Sequence, residues 1–213
     1  REAFSSVCPA NMALVEVNEK AFCIDKREFS NQRYAVADSN FSIVDSITFF
    51  SIFTNTPVVF VDYESAEIAC AFEGKRLCKI SEWEAAVGGY ENRTYPYGNI
   101  YDPMACNTNL STESYTRAFN TTWADDTLTS CVTPEGVYDL SGNVAEWVDN
   151  DKYFPVKASI EGIDVPYRYN VGGDWASGVS SSIRSSIDTD LPPSPYETVR
   201  RVNVGFRCCK SIQ

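Results

Sequence analysis

Eight cysteines are spread over the 213 residues: Cys8, Cys23, Cys70, Cys78, Cys106, Cys131, Cys208 and Cys209, with no C-x-x-C pair among them. That spacing argues against a zinc ribbon or a thioredoxin-like dithiol. An even, dispersed set reads as a disulfide framework, and hence as a protein of an oxidising compartment: extracellular, cell-surface or periplasmic. Histidine is absent altogether. Its absence removes Ser-His-Asp and Cys-His catalysis, histidine-ligated zinc and the 2-His-1-carboxylate iron site. It also removes the usual side-chain pH switch.

An apolar fraction of 44% marks a globular chain with a real core. The net charge of −11 repels polyanions, so nucleic acid is not an expected partner. No stretch reaches the ~20 apolar residues that span a bilayer. "FSIVDSITFFSIF" (41–53) comes closest, but Asp45 and three serines interrupt it, and a buried segment is expected there. Four N-x-S/T sequons, at Asn40, Asn92, Asn109 and Asn120, are candidate glycosylation sites in a secreted protein. The chain opens on "REAFSSVCP" with no visible signal peptide, which suggests a mature form or a trimmed domain.

Short elements follow along the chain. "MALVEV" and "AFCID", separated by "NEK", predict a β-hairpin that a Cys8–Cys23 bond could cross. "SNQRYAVA" could begin a helix at Ser30 or Asn31. "VDYESAEIACAFEG" predicts a helix capped by Asp62 and ended by Gly74. "ISEWEAAVGG" predicts a second, capped by Ser81 with Glu84 at the capping-box position. From Tyr90 to Ser130 periodicity fades into Asn, Thr, Ser, Pro and Tyr, a loop that Cys106 and Cys131 bracket and could clip shut. Within it Asn107 and Asp125–Asp126 are hard oxygen ligands that suit calcium. "RRVNVGFRCCKS" reads as a buried strand near the end. No repeat or linker appears, so residues 1–213 read as a single α+β domain, loop-rich and disulfide-stapled.

Taken in order, "PVVFVDYESAEIACAFEGKRLCKISEWEAAVGG", "YPYGN", "GVYDLSGNVAEWV", "VGGDW" and "NVGFRCC" resemble the formylglycine-generating-enzyme-like (sulfatase-modifying-factor) family. The similarity runs from about Cys8 to Cys209, and the joined motifs are more specific than any one of them. The resemblance implies the family's variant of the C-type-lectin-like fold. It implies calcium in the loops, with Asn107, Thr108, Asp126, Asn143, Val144 and Glu146 as candidate ligands, some through backbone carbonyls. It also implies a Cys70–Cys208 bond, which leaves Cys78 for Cys209 on the other side of the strand, with Cys8–Cys23 and Cys106–Cys131 completing the set.

The family's oxidases bind copper through two cysteines in the strand after the Gly-Gly turn. Counted from Gly172-Gly173, those positions are Ser177 and Ser182 here. Hydroxyls are poor ligands for Cu(I), which selects thiolates. Copper-dependent formylglycine synthesis is therefore not expected, nor is haem or a nucleotide. A serine nucleophile would need a base; Arg184, the cation within the serine run, cannot act as one, and nothing in the sequence singles out Asp174 or Asp188 for that role.

The expected function is a non-catalytic extracellular binding or structural module, an accessory component of a secreted or surface assembly with protein partners. Tyrosines around 95–101, 153 and 167–169 suit such a surface. One alternative is an enzyme of altered chemistry in a cleft lined by Trp175, Ser177, Ser182, Arg184 and Arg207, holding an anionic or peptide substrate. Another is a calcium-dependent glycan-binding module, which rests on fold analogy alone.

Overall fold

The computed structural model describes residues 8–18, 20–31, 33–34, 56–108, 130–151, 157–160, 163–166, 168–175 and 200–212. The hairpin forms as expected. Strands β1 (Met12–Val17) and β2 (Lys20–Asp25) pair antiparallel, with Val17 opposite Lys20. Asn18 takes the turn at φ 48°, a conformation asparagine tolerates better than most residues. Alternation along β1 turns Ala13 and Val15 into one core cluster, while Glu16 stays outside.

Helix α1 (Tyr63–Phe72) begins where Asp62 accepts the Ser65 N–H at 2.8 Å. It ends at Gly74, at φ +66°, whose N–H donates to the Ala71 carbonyl. After the two-residue strand β3 (Arg76–Leu77) comes helix α2 (Ile80–Gly88). Its start corrects the expected cap. Ser81 lies inside the helix and donates to Asp151, while Glu82, not Glu84, reaches back to accept the Lys79 N–H at 2.9 Å. Asp149 accepts the Ile80 N–H through its backbone carbonyl, so a part of the chain some seventy residues on fixes where α2 begins. Near residue 30, Asn31, Arg33 and Tyr34 are helical, and the Arg33 N–H reaches Ser30 Oγ at 3.4 Å. The apolar stretch 41–53 lies outside the described residues.

The remaining strands are β4 (Ala145–Val148), β5 (Lys157–Ile160), β6 (Ile163–Pro166), β7 (Tyr169–Val171), β8 (Val204–Phe206) and β9 (Cys208–Ser211). They complete three sheets among the described residues, ordered β1-β2-β9-β3, β7-β4-β8 and β5-β6. The expected single C-terminal strand is thus two. Phe206 ends β8 in one sheet and Cys208 begins β9 in another, with Arg207 between them.

That division explains the Cys-Cys dipeptide. Successive residues of a strand face opposite sides. Cys208 joins the cluster of Phe29, Val61, Ala66, Trp147 and Phe206 and bonds Cys70 of α1. Cys209 joins the cluster of Val15, Ile24, Ile80 and Trp83 and bonds Cys78. One dipeptide therefore ties β9 to both cores. Cys8–Cys23 crosses the hairpin and Cys106–Cys131 closes the long loop, so all eight cysteines are in disulfides.

Candidate functional site

Two turns meet around Asn107. Gly142 sits at φ +80°, and a Cβ there would lie 2.2 Å from the Asn107 carbonyl oxygen, so glycine alone lets the turn close. The Asn143 N–H donates to that carbonyl at 2.9 Å, and the Gly142 N–H donates to the Gly172 carbonyl at 3.0 Å. The Trp175 N–H donates to the Asn143 carbonyl at 3.0 Å. The "CNT", "SGNV" and "VGGDW" stretches are thereby brought together from three distant parts of the chain.

Their side chains form a buried polar chain. Asn107 Nδ2 donates to Asn143 Oδ1 at 3.2 Å, and Asn143 Nδ2 donates to Glu28 Oε2 at 2.5 Å. The Val144 N–H donates to the other oxygen of Glu28 at 3.3 Å. Glu28, Asn107, Thr108, Asn143, Val144 and Glu146 are all buried. Glu28 escaped the sequence reading. It sits in "DKREF", and nothing in the spacing joins it to Asn143, 115 residues away.

Asn107 fits a hard cation. Its Oδ1 is buried without a hydrogen-bond partner, and calcium takes such an oxygen readily. Bound calcium would act structurally there, fixing the loop that carries Asn107 against the turn that carries Asn143. Glu146 does not fit as a side-chain ligand, which corrects the expectation. Its oxygens accept from Arg207 Nε at 2.9 and 2.8 Å, from Arg207 Nη2 at 2.6 Å and from Trp83 Nε1 at 2.9 Å. Among the described residues, no group of three or more acidic, cysteine or histidine side chains is arranged to hold a metal.

Arg207 is corrected as well. It lines no cleft: the residue is 0% exposed, and it also donates to the Asp25 and Tyr138 carbonyls at 3.2 and 2.9 Å. Burial disfavours its cation, but the Glu146 charge and hydrogen bonds outweigh that and hold the guanidinium above its ordinary value. Glu146 and Trp147 are neighbours on β4 and face opposite ways. The carboxylate meets Arg207, while the Trp147 indole donates to the Val61 carbonyl at 2.9 Å. Trp175 is half-buried, and its indole nitrogen has no partner. Asp126, Ser177, Ser182 and Arg184 lie outside the described residues, as do the sequons at Asn40, Asn109 and Asn120; Asn92 is exposed.

Among the described residues, helices α1 and α2 and small sheets stapled by four disulfides, with polar turns gathered at one place, define a C-type-lectin-like domain of the formylglycine-generating-enzyme type. The family model described as "Sulfatase-modifying factor enzyme 1-like domain" matches residues 7–212, and the chain belongs to that family. It is 31% identical over 163 residues to a Bos taurus protein named inactive C-alpha-formylglycine-generating enzyme 2, covering 71% of this chain and 49% of that one. It is 27% identical over 171 residues to the formylglycine-generating enzyme of Mus musculus, covering 73% and 44%. The chain therefore spans about half the length of these curated relatives, one named inactive and one named as an enzyme. The crystal structure of CarF aligns with a TM-score of 0.68 at 16% identity, covering 96% of this chain and 99% of that one, and shares its fold.

Proposed function

We propose that this chain is a non-catalytic member of the family: a binding or structural module of a secreted or surface assembly, working with a protein partner. The observation that carries this reading is the fate of the thiols. All eight cysteines are in disulfides, and the family pattern puts the hydroxyls of Ser177 and Ser182 where copper-binding thiolates would stand. No thiolate remains to hold Cu(I). The relative named inactive supports the same reading. Four disulfides support a place outside a reducing cytosol.

A Cu(I) titration tests the first half. The wild-type protein should take up no stoichiometric Cu(I), while the double variant Ser177→Cys, Ser182→Cys should gain a site. Tight binding by the wild type would overturn the reading. Purification from the native source tests the second half. A stoichiometric protein partner supports the module, and a lone monomer that turns over a peptide counts against it.

The loops would be set by calcium at Asn107, Thr108 and the 143–144 turn. The unpartnered Asn107 Oδ1 is what favours calcium there. The Glu146 carboxylate takes no part in this proposal.

A further inference from the structure

We propose that a second site, remote in sequence from Ser177 and Ser182 and independent of the function proposed above, binds one oxyanion: a sulfate, phosphate or carboxylate group. It is a 230 Å³ cleft lined by Asn11, Lys26, Arg27, Glu28, Ser30 and Arg33, where the chain leaves β2 and enters the helical turn at Asn31.

The lining presents donors. Lys26 Nζ donates to the Ala10 carbonyl at 3.0 Å and pairs with no carboxylate among the described residues, so two of its N–H groups are left over. Arg33 spends Nε and Nη2 on Glu73 and Asp25, at 2.6–2.9 Å. Its Nη1 has no acceptor among the described residues. Ser30 Oγ accepts the Arg33 N–H, which leaves its own proton to donate. Glu28 is the one acidic residue of the lining, and both its oxygens are engaged inward, by Asn143 and Val144.

Charge points the same way. Asp25 and Glu73 are balanced by Arg33 and Lys75, which share a single network of ion pairs. Lys26, which pairs with no carboxylate among the described residues, then gives the cleft a positive spot, within a chain of net charge −11. A concave positive spot on an acidic surface focuses anions. A spot of this kind suits one anionic group and not a polyanion. The arginines are also held in place. Arg33 lies 3.9 Å over the Phe29 ring and Arg27 lies 4.2 Å over the Tyr138 ring. An anion would therefore meet an arranged fork at low ordering cost.

Calorimetric titration of the disulfide-intact protein with sodium sulfate and sodium phosphate, at constant ionic strength in chloride, tests the site. Saturable binding is expected. Lys26→Ala should weaken it about tenfold, as loss of one charge-assisted hydrogen bond implies, and Lys26→Arg should retain it. Arg33→Gln should also lose binding but strips a partner from Asp25 and Glu73, so the Lys26 pair is the deciding measurement. A sulfated disaccharide that binds more tightly than inorganic sulfate would assign the anion to a glycan ester; equal affinity would assign it to a free ion. No saturable response to either anion, or an affinity unchanged in Lys26→Ala, would overturn the proposal.

Discussion

Replacing Glu146 by glutamine would test whether the Arg207 pair organises the centre of the fold. The two side chains are 1% and 0% exposed, and four of the short contacts described above converge on one carboxylate. Glutamine keeps the shape and one carbonyl oxygen, which can still accept the Trp83 indole N–H. It removes the carboxylate that pairs with Arg207, leaving a fully buried cation with two backbone carbonyls at 3.2 and 2.9 Å and the smaller charge effects of Glu28 and Asp139. Breaking a buried pair in this way costs about 3–5 kcal/mol. For a chain of this size each kcal/mol moves the midpoint by about 2–4 °C, so thermal unfolding should fall by roughly 6–20 °C. The companion is Arg207→Met in the same background. It withdraws the uncompensated cation and should recover about 2 kcal/mol, because neutral side chains of similar volume avoid the desolvation penalty. Urea unfolding with disulfides intact, for wild type, both single variants and the double variant, gives the full cycle. A cost below about 1 kcal/mol for Glu146→Gln, or a double variant less stable than Glu146→Gln alone, would refute the reasoning.

Three further outcomes are expected. Burial by itself would raise the Glu73 carboxyl, but hydrogen bonds and charge from Arg33 and Lys75 win and hold it at about 2, against an ordinary 4.5. A depressed carboxyl stabilises the fold above its unfolded value and loses that contribution as pH falls from about 5 towards 2. Glu73→Gln should therefore flatten the urea stability profile across that window by about 1–2 kcal/mol, the side chain being partly exposed; an unchanged slope would contradict the pairing. Cys70→Ser with Cys208→Ser opens a sequence separation of 138 residues and should cost up to about 5 kcal/mol, read from the urea midpoint. If calcium sits at Asn107, chelation should lower the wild-type melting point and leave Asn107→Ala unmoved. The loss would be about 2.7 kcal/mol where the ion had stood at a hundred times its dissociation constant.

The parts visible in the sequence are those whose cause is local. Asp62 caps α1 and Gly74 ends it because an N-terminal acceptor and a left-handed residue are needed at those points in any context. The α2 cap falls two residues before the expected Ser81, at Lys79, because the Asp149 carbonyl, from a distant part of the chain, accepts the Ile80 N–H, and no local rule carries that contact. The terminal strand reads as one piece because no turn residue pair interrupts "VNVGFRCC", whereas the break at Arg207 goes with its pairing to a carboxylate 61 residues away. The same contact removes Glu146 and Arg207 from the expected site. Both had looked functional as charged residues inside recognisable motifs, yet they satisfy each other in the core. "GNVAEW" and "GFRC" identify the family because the fold needs them: the glutamate of one neutralises the arginine of the other, and the cysteine of the second anchors α1. Residues that make the fold recognisable therefore carry little information about activity. The informative positions are those the scaffold does not use, which is why two serines weigh more here than the motifs around them.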